Sequence, residues 1–124
     1  MAKGRFSTGT RSAILERAGG FCERCALPLR KHGHIHHRKP RGMGGTDDST
    51  LGGASNGMWV HAHCHQAIES KREEAYRNGW LVRRQFHPMT IPIFRWGRWV
   101  ILDDDGSVKV LELPEDHAIG DDAS

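Results

Sequence analysis

The 124-residue sequence contains no apolar run approaching the ~20 residues that a membrane-spanning helix needs, which leaves no candidate for a helical anchor. Its start, Met1-Ala2-Lys3-Gly4-Arg5, leads into no apolar signal segment, so a cytoplasmic protein is expected. Cysteine is scarce and odd in number: Cys22, Cys25 and Cys64. An odd count in a reducing compartment is no disulfide framework, and three thiols there suit metal ligation better. Apolar material is short as well, at 37% hydrophobic residues and a mean hydropathy of -0.60, while fifteen glycines add chain entropy that folding must overcome. A chain of this size is one modest domain, near the limit where a bound metal helps it fold. The sequence has no internal repeat and no base-reading module.

What the chain does have is positive charge in its body. Residues 1 to 98 carry 17 Lys and Arg against 7 Asp and Glu, or +10, whereas residues 99 to 124 carry 1 against 8, or -7. A basic body is the electrostatic footprint of a phosphate-backbone binder, although solvated surfaces rich in Arg have the same composition.

Seven of the nine histidines and all three cysteines fall between residues 21 and 77. Cys22 and Cys25 have the two-residue gap of a zinc knuckle, a tight turn that aims two thiolates at one ion. Only Cys64 remains for the second half, and three positions before it stands His61. Tetrahedral zinc accepts three Cys and one His, so Cys22, Cys25, His61 and Cys64 are assigned to structural zinc. His63, inside the second knuckle, is the alternative imidazole and is expected in solvent. The 35 residues between the knuckles exceed the usual ribbon gap. A hairpin fits there, with a strand over residues 33 to 37, a Gly-rich loop over residues 39 to 49, and a returning strand over residues 58 to 60.

Around that centre the remaining elements are coarser. Residues 1 to 10 are predicted to be a flexible basic arm, and residues 11 to 18 a short helix capped by Thr10 or Ser12, with Ile14 and Leu15 inward and Gly19-Gly20 ending it. A helix is expected from Cys64 to about Asn78, ended by Gly79, with Ile68, Ala75 and Tyr76 apolar and Glu73 four residues before Arg77. Four β-favouring runs follow, at residues 80–82, 91–94, 99–102 and 108–111, the last two joined by a turn at Asp103-Asp104-Asp105-Gly106. Residues 114 to 124 read as an acidic disordered tail.

His36-His37 on the first strand, Gly44-Gly45 in the loop, Asn56 before the second strand and Cys64-His65 opening the helix occur in the order of the HNH endonuclease family, in its zinc-ribbon-bearing form. The chain resembles that family over about residues 11 to 84. The later strands resemble, more weakly, the C-terminal part of small phage-encoded HNH proteins. The resemblance implies an α+β fold: a ββα-metal hairpin and helix nested in a zinc knuckle pair, with a small C-terminal antiparallel β extension. It divides the chain into the arm, a nuclease domain at 11–84, an accessory β-hairpin region at 85–113 and the tail.

Residue by residue, the resemblance makes His37 the general base, Asn56 the residue that holds loop and base in position, and His36 and His65 ligands of a catalytic divalent metal, Mg, Mn or Ni. Asn56 beside Gly57 also suits a turn with positive φ. Many relatives carry His or Asn four residues after the equivalent of His65, but here Glu69 stands there. A hard carboxylate suits Mg or Mn and lies on the same helix face as His65, so Glu69 is taken as the third ligand; the plainer reading is a surface Glu paired with Arg72. His34, on the strand face of His36, is a phosphate contact or an exposed strand residue, and His32 and His87 are left as surface residues. Arg38, Lys39 and Arg41 after the His pair, with Arg83 and Arg84, are the expected DNA contacts, and Arg95 and Arg98 extend that track.

The implied activity is metal-dependent hydrolysis of double-stranded DNA, nicking or cutting both strands with weak sequence specificity, leaving a 5′ phosphate and a 3′ hydroxyl. The phage-protein resemblance adds a role in DNA packaging with a large terminase subunit as partner. The alternative is a non-catalytic zinc-ribbon DNA-binding or packaging accessory module, as a monomer or homodimer.

Overall fold

The computed structural model describes residues 5–40 and 48–112, and two small sheets and three helices are built on them. Helix α1 spans Thr8–Ala18. The Ser7 hydroxyl caps it by accepting from the Thr10 amide, and Gly19, at φ 59°, closes it in the left-handed conformation while its N–H donates to the Leu15 carbonyl. The helix thus starts three residues before the predicted boundary. Within the arm expected over residues 1 to 10, Thr8 to Thr10 are helical and Phe6 is buried, and residues 1–4 lie outside the described residues. Ile14 is buried as predicted, but Leu15 is 39% exposed, because Ile14 and Ala18, four apart, are the pair that faces the core.

Strands β1 (His34–His37) and β2 (Gly57–Val60) form the antiparallel hairpin, with His36 opposite Met58 and His37 opposite Gly57. Side chains alternate across this sheet. One face is covered by Ile14 of α1 together with Phe6, just before that helix, and Ala54, with Ile35 and Trp59 packed against them. Gly57 is required there, since a Cβ would collide with Ile14. Helix α2 (Ala62–Ser70) lies on the other face and carries Cys64 and Ile68 into the main core.

The predicted single helix to Asn78 is two. Lys71, at φ -114° and ψ 66°, breaks it, and α3 (Arg72–Arg77) turns Ala75 into the core. Gly79, at φ 76°, follows as expected; a Cβ there would strike the Pro92 carbonyl. Residues 80–82, predicted as a strand, are not one. Trp80, Leu81 and Val82 are buried, but their N–H groups donate to scattered carbonyls, of Ala75 twice and Arg38 once, rather than to a ladder.

The second sheet has the order β3-β4-β5, formed by Ile93–Arg95, Arg98–Leu102 and Val108–Val110. Trp96 and Gly97, both at positive φ, make the two-residue turn between β3 and β4, which matches the right-handed twist of the strands. Ile93, Val100 and Leu102 join the core formed by Cys22, Met58, Val60 and Ile68, so this sheet completes the domain rather than standing apart.

One buried ionic network ties the layers together. Glu23, fully buried, accepts two hydrogen bonds from Arg17 at 2.8 Å each, one from Arg95 at 3.0 Å and one from the Trp59 amide at 2.9 Å. Arg17 also donates to the Ala54 and Gly57 carbonyls. Helix α1, the first knuckle, β2 and β3 are thereby fixed to one carboxylate, whose oxygens are fully used. Arg95, expected in a basic track for DNA, is instead one of these buried partners.

Candidate functional site

The first cluster forms where the turn after α1 meets the start of α2. Cys22 Sγ lies 3.7 Å from Cys64 Sγ, and His61 Nδ1 lies 3.4 Å from Cys25 Sγ and 3.9 Å from Cys64 Sγ. The sulfur separation is far beyond the ~2.05 Å of a disulfide. It is close to the ~3.8 Å edge of a tetrahedron with 2.3 Å zinc–sulfur bonds. All four donor atoms lie within 4.8 Å of one another. The surroundings favour thiolate at Cys22, where the Arg24 and Cys25 amides point at Sγ from 3.4 Å; at Cys64 burial and the neighbouring Cys22 push the thiol up to about 11, against the Arg24 guanidinium 3.3 Å away. Burial opposes ionisation of Cys22, but the backbone donors at Cys25, His61 and Arg24 outweigh it and hold its pKa at about 7. The other ring nitrogen of His61 lies 3.1 Å from the Pro28 carbonyl, which leaves Nδ1 as the lone-pair atom. His63 is exposed and stacks on the His61 ring, and it is not one of the four converging donors.

The second cluster lies across the hairpin from α1, where β1 faces α2. His36 Nδ1 and His65 Nε2 each lie 3.9 Å from one carboxylate oxygen of Glu69, and the three groups fall within 4.8 Å of one another. His36 is buried, and its Nε2 lies 2.8 Å from the Trp80 carbonyl. A carbonyl can only accept, so Nε2 carries the proton and Nδ1 presents its lone pair to Glu69. Burial pushes the His36 pKa down to about 4, against the Trp80 carbonyl and with the nearby charges of His65, His37 and Arg38, so the ring is neutral at pH 7. Burial lowers His65 too, partly offset by Glu69. Two neutral imidazoles and a carboxylate form a donor set that suits a divalent cation of the first transition series or Mg. The plainer reading of Glu69, an ion pair with Arg72, is seen: its second oxygen is 3.0 Å from the Arg72 guanidinium, while the first faces the two imidazoles.

His37, one residue on, projects to the opposite face of β1 and stacks on Phe6, with ring centroids 4.1 Å apart. It is half-buried at the strand end. Asn56 is fully buried. Its Oδ1 accepts from the Lys39 amide at 2.7 Å, its Nδ2 donates to the Lys39 and Leu51 carbonyls, and its own carbonyl accepts from the Arg38 amide. Both ends of the loop between the strands are therefore held by one side chain. The turn with positive φ expected at Asn56-Gly57 is absent: Asn56 ends a 3-10 turn over Ala54–Asn56, and Gly57 is extended at φ -112°.

The expected DNA contacts divide. Arg38 is fully buried, its guanidinium donating to the carbonyls of Gly79, Ser55, Pro88 and Ile91, so it braces the fold from within and offers nothing to a phosphate. Lys39 is also turned inward, to the Arg84 and Phe86 carbonyls and Asp48. Arg41 lies outside the described residues. Arg83 and Arg84 are exposed, and Arg83 lies over the Tyr76 ring at 4.1 Å, beside a shallow cleft of about 160 Å³ lined by Leu81, Val82 and Phe86. His34, expected as a phosphate contact or an exposed strand residue, is exposed on β1 and meets His65, with the two Nδ1 atoms 3.1 Å apart. The spacing of two from His36 on one strand face was its only signal in the sequence.

A two-stranded hairpin closed by a helix, with histidines from both converging on one point beside a three-Cys, one-His cluster, defines a ββα-metal domain. Residues 22–71, 50 of the 124, match the family model described as HNH endonuclease. No curated protein and no solved structure matches the chain. Among the described residues no helix is long and apolar enough to cross a membrane.

Proposed function

We propose that the protein is a metal-dependent endonuclease that hydrolyses phosphodiester bonds of double-stranded DNA. The convergence of His36 Nδ1, His65 Nε2 and one Glu69 oxygen carries this reading, because nothing in packing requires three donors to face one another. A divalent cation held by His36, His65 and Glu69 would stabilise the negative charge that builds on the phosphorane and on the leaving 3′ oxygen. By the family resemblance His37, whose ring leaves β1 on the face opposite His36 and stacks on Phe6, takes the proton from the attacking water, because an imidazole can accept a proton there, a task worth roughly 10² to 10⁴ in rate. Phe6 stacked on one side of the ring and Asn56 bracing the loop restrict how His37 can move. Zinc at Cys22, Cys25, His61 and Cys64 is structural, and Arg83 and Arg84 hold the DNA backbone.

Supercoiled plasmid incubated with Mg, Mn, Ni, Zn or EDTA tests the reading. Cleavage by the wild type, lost in EDTA and in His37→Ala with zinc content and DNA binding retained, is the expected result. DNA binding without cleavage in any metal would instead favour a zinc-ribbon binding module. A role in phage DNA packaging beside a large terminase subunit rests on the resemblance of the later strands alone, and is tested by whether a purified terminase subunit alters cleavage.

A further inference from the structure

The two histidines of the candidate cation site are oriented in different ways. His36 is held by a backbone carbonyl, that of Trp80, which cannot change its role from acceptor to donor. His65 has a side chain in the corresponding place: its Nδ1 lies 3.1 Å from the Nδ1 of His34, with the two rings nearly perpendicular at 86°. Two ring nitrogens at that distance share one proton, since two lone pairs would repel and two N–H groups would collide. His65 Nε2 is the atom turned toward Glu69, and to hold a cation it must carry a lone pair. The shared proton therefore belongs to His65 Nδ1, and His34 Nδ1 accepts it.

We propose that His34 is a positioning residue for the divalent-cation site, fixing the tautomer and ring rotation of His65 through the Nδ1 to Nδ1 hydrogen bond. The proposal rests on the functional reading above, in that it takes His36, His65 and Glu69 as the ligands. Outer hydrogen bonds of this kind commonly change metal affinity by about 10- to 100-fold when removed. Because His34 is exposed on β1, its truncation leaves no cavity, and the fold is not expected to respond.

The test uses zinc-loaded protein titrated with Mn by calorimetry, comparing wild type with His34→Ala, His34→Asn and His36→Ala. His34→Ala should bind Mn about 10-fold more weakly or worse, with unchanged zinc content and unfolding temperature. His34→Asn, whose Oδ1 stands where the ring Nδ1 stood and can only accept, should recover most of the affinity. In the plasmid assay His34→Ala should need more Mn for half-maximal rate but approach the wild-type rate at saturation. Mn affinity in His34→Ala equal to wild type, or His34→Asn as weak as His34→Ala, would overturn the proposal while leaving the site intact. Wild type and His36→Ala binding Mn alike would overturn the site reading and this proposal with it.

Discussion

The two donor clusters are about as near in sequence as clusters can be, sharing α2 and separated by single residues at Cys64 and His65, yet they are built oppositely. The Cys22, Cys25, His61, Cys64 set has four donors within 4.8 Å of one another, three of the pairs at 3.4 to 3.9 Å near tetrahedral edges, with two of its cysteines buried and N–H groups aimed at its sulfur. The His36, His65, Glu69 set has three donors, with separations of 3.9 Å where ligand atoms sharing an ion of 2.1 Å bonds lie about 3.0 to 3.4 Å apart. Its third member is 46% exposed. A closed, full set holds an ion permanently; an open, incomplete one leaves positions for water and substrate. One helix start thus carries donors of both clusters, Cys64 of the closed one and His65 and Glu69 of the open one.

If that division is right, breaking the closed cluster should cost most. Cys22→Ser, or stripping zinc with a chelator, should unfold the domain, since structural zinc supplies on the order of 10 kcal/mol to a small fold. Loss of the near-ultraviolet dichroism of the tryptophans would report it, and zinc-free protein that stays folded would contradict it. His63→Ala, by contrast, should leave zinc content unchanged. Next in size is Arg38→Ala, which strands four buried carbonyls and should cost at least about 3 kcal/mol in denaturant unfolding with zinc still bound. Arg38→Lys should not rescue it, because a single ammonium cannot span the positions a planar guanidinium reaches.

Arg38 also marks where the sequence stops being legible. The converging donors could be read because coordination demands particular atoms at particular spacings: Cys22 and Cys25, His61 and Cys64, and His65 with Glu69 one helical turn on. The hairpin followed from the gap those ligands leave. Arg38 looked like a phosphate contact because it adjoins the His pair, but the carbonyls that capture it come from residues 17 to 53 positions away, which no local pattern reports. Residues 80–82 misled for a related reason, since Trp, Leu and Val favour burial as much as strands, and here only burial is realised. The break at Lys71 has no Gly or Pro to announce it. Ser7 was passed over as a cap because the Gly and Ser around it read as a mobile arm, whereas burial of Phe6 anchors that segment.

The comparison can be sharpened by pH, because His36 is a deeply buried member of the open cluster. Its folded pKa, about 4, lies below the ordinary 6.5, so the folded state favours the neutral ring. The stability tied to that neutrality is complete above pH 6.5 and is lost as pH falls from 6.5 through 4, about 3 kcal/mol in all. Zinc also leaves at low pH, so the informative quantity is the difference between wild type and His36→Gln in urea unfolding across that range. The wild type should fall more steeply, and parallel curves would remove His36 as the cause.

The smallest effect on the fold falls on Glu69, and it decides what kind of site the open cluster is. One oxygen faces His36 and His65 and the other pairs with Arg72, so ligand and surface ion pair are two halves of one carboxylate. Arg72→Ala removes only an exposed pair and should change stability by less than about 1 kcal/mol. It should leave the metal profile of cleavage as it was. Glu69→Gln keeps the shape and loses the charge that a hard cation requires, so activity in Mg should drop sharply, while Glu69→His should shift the preference toward Ni or Zn, which imidazole favours. Equal Mg-dependent rates for wild type and Glu69→Gln would reduce Glu69 to its pairing with Arg72 and leave His36 and His65 as a two-ligand site.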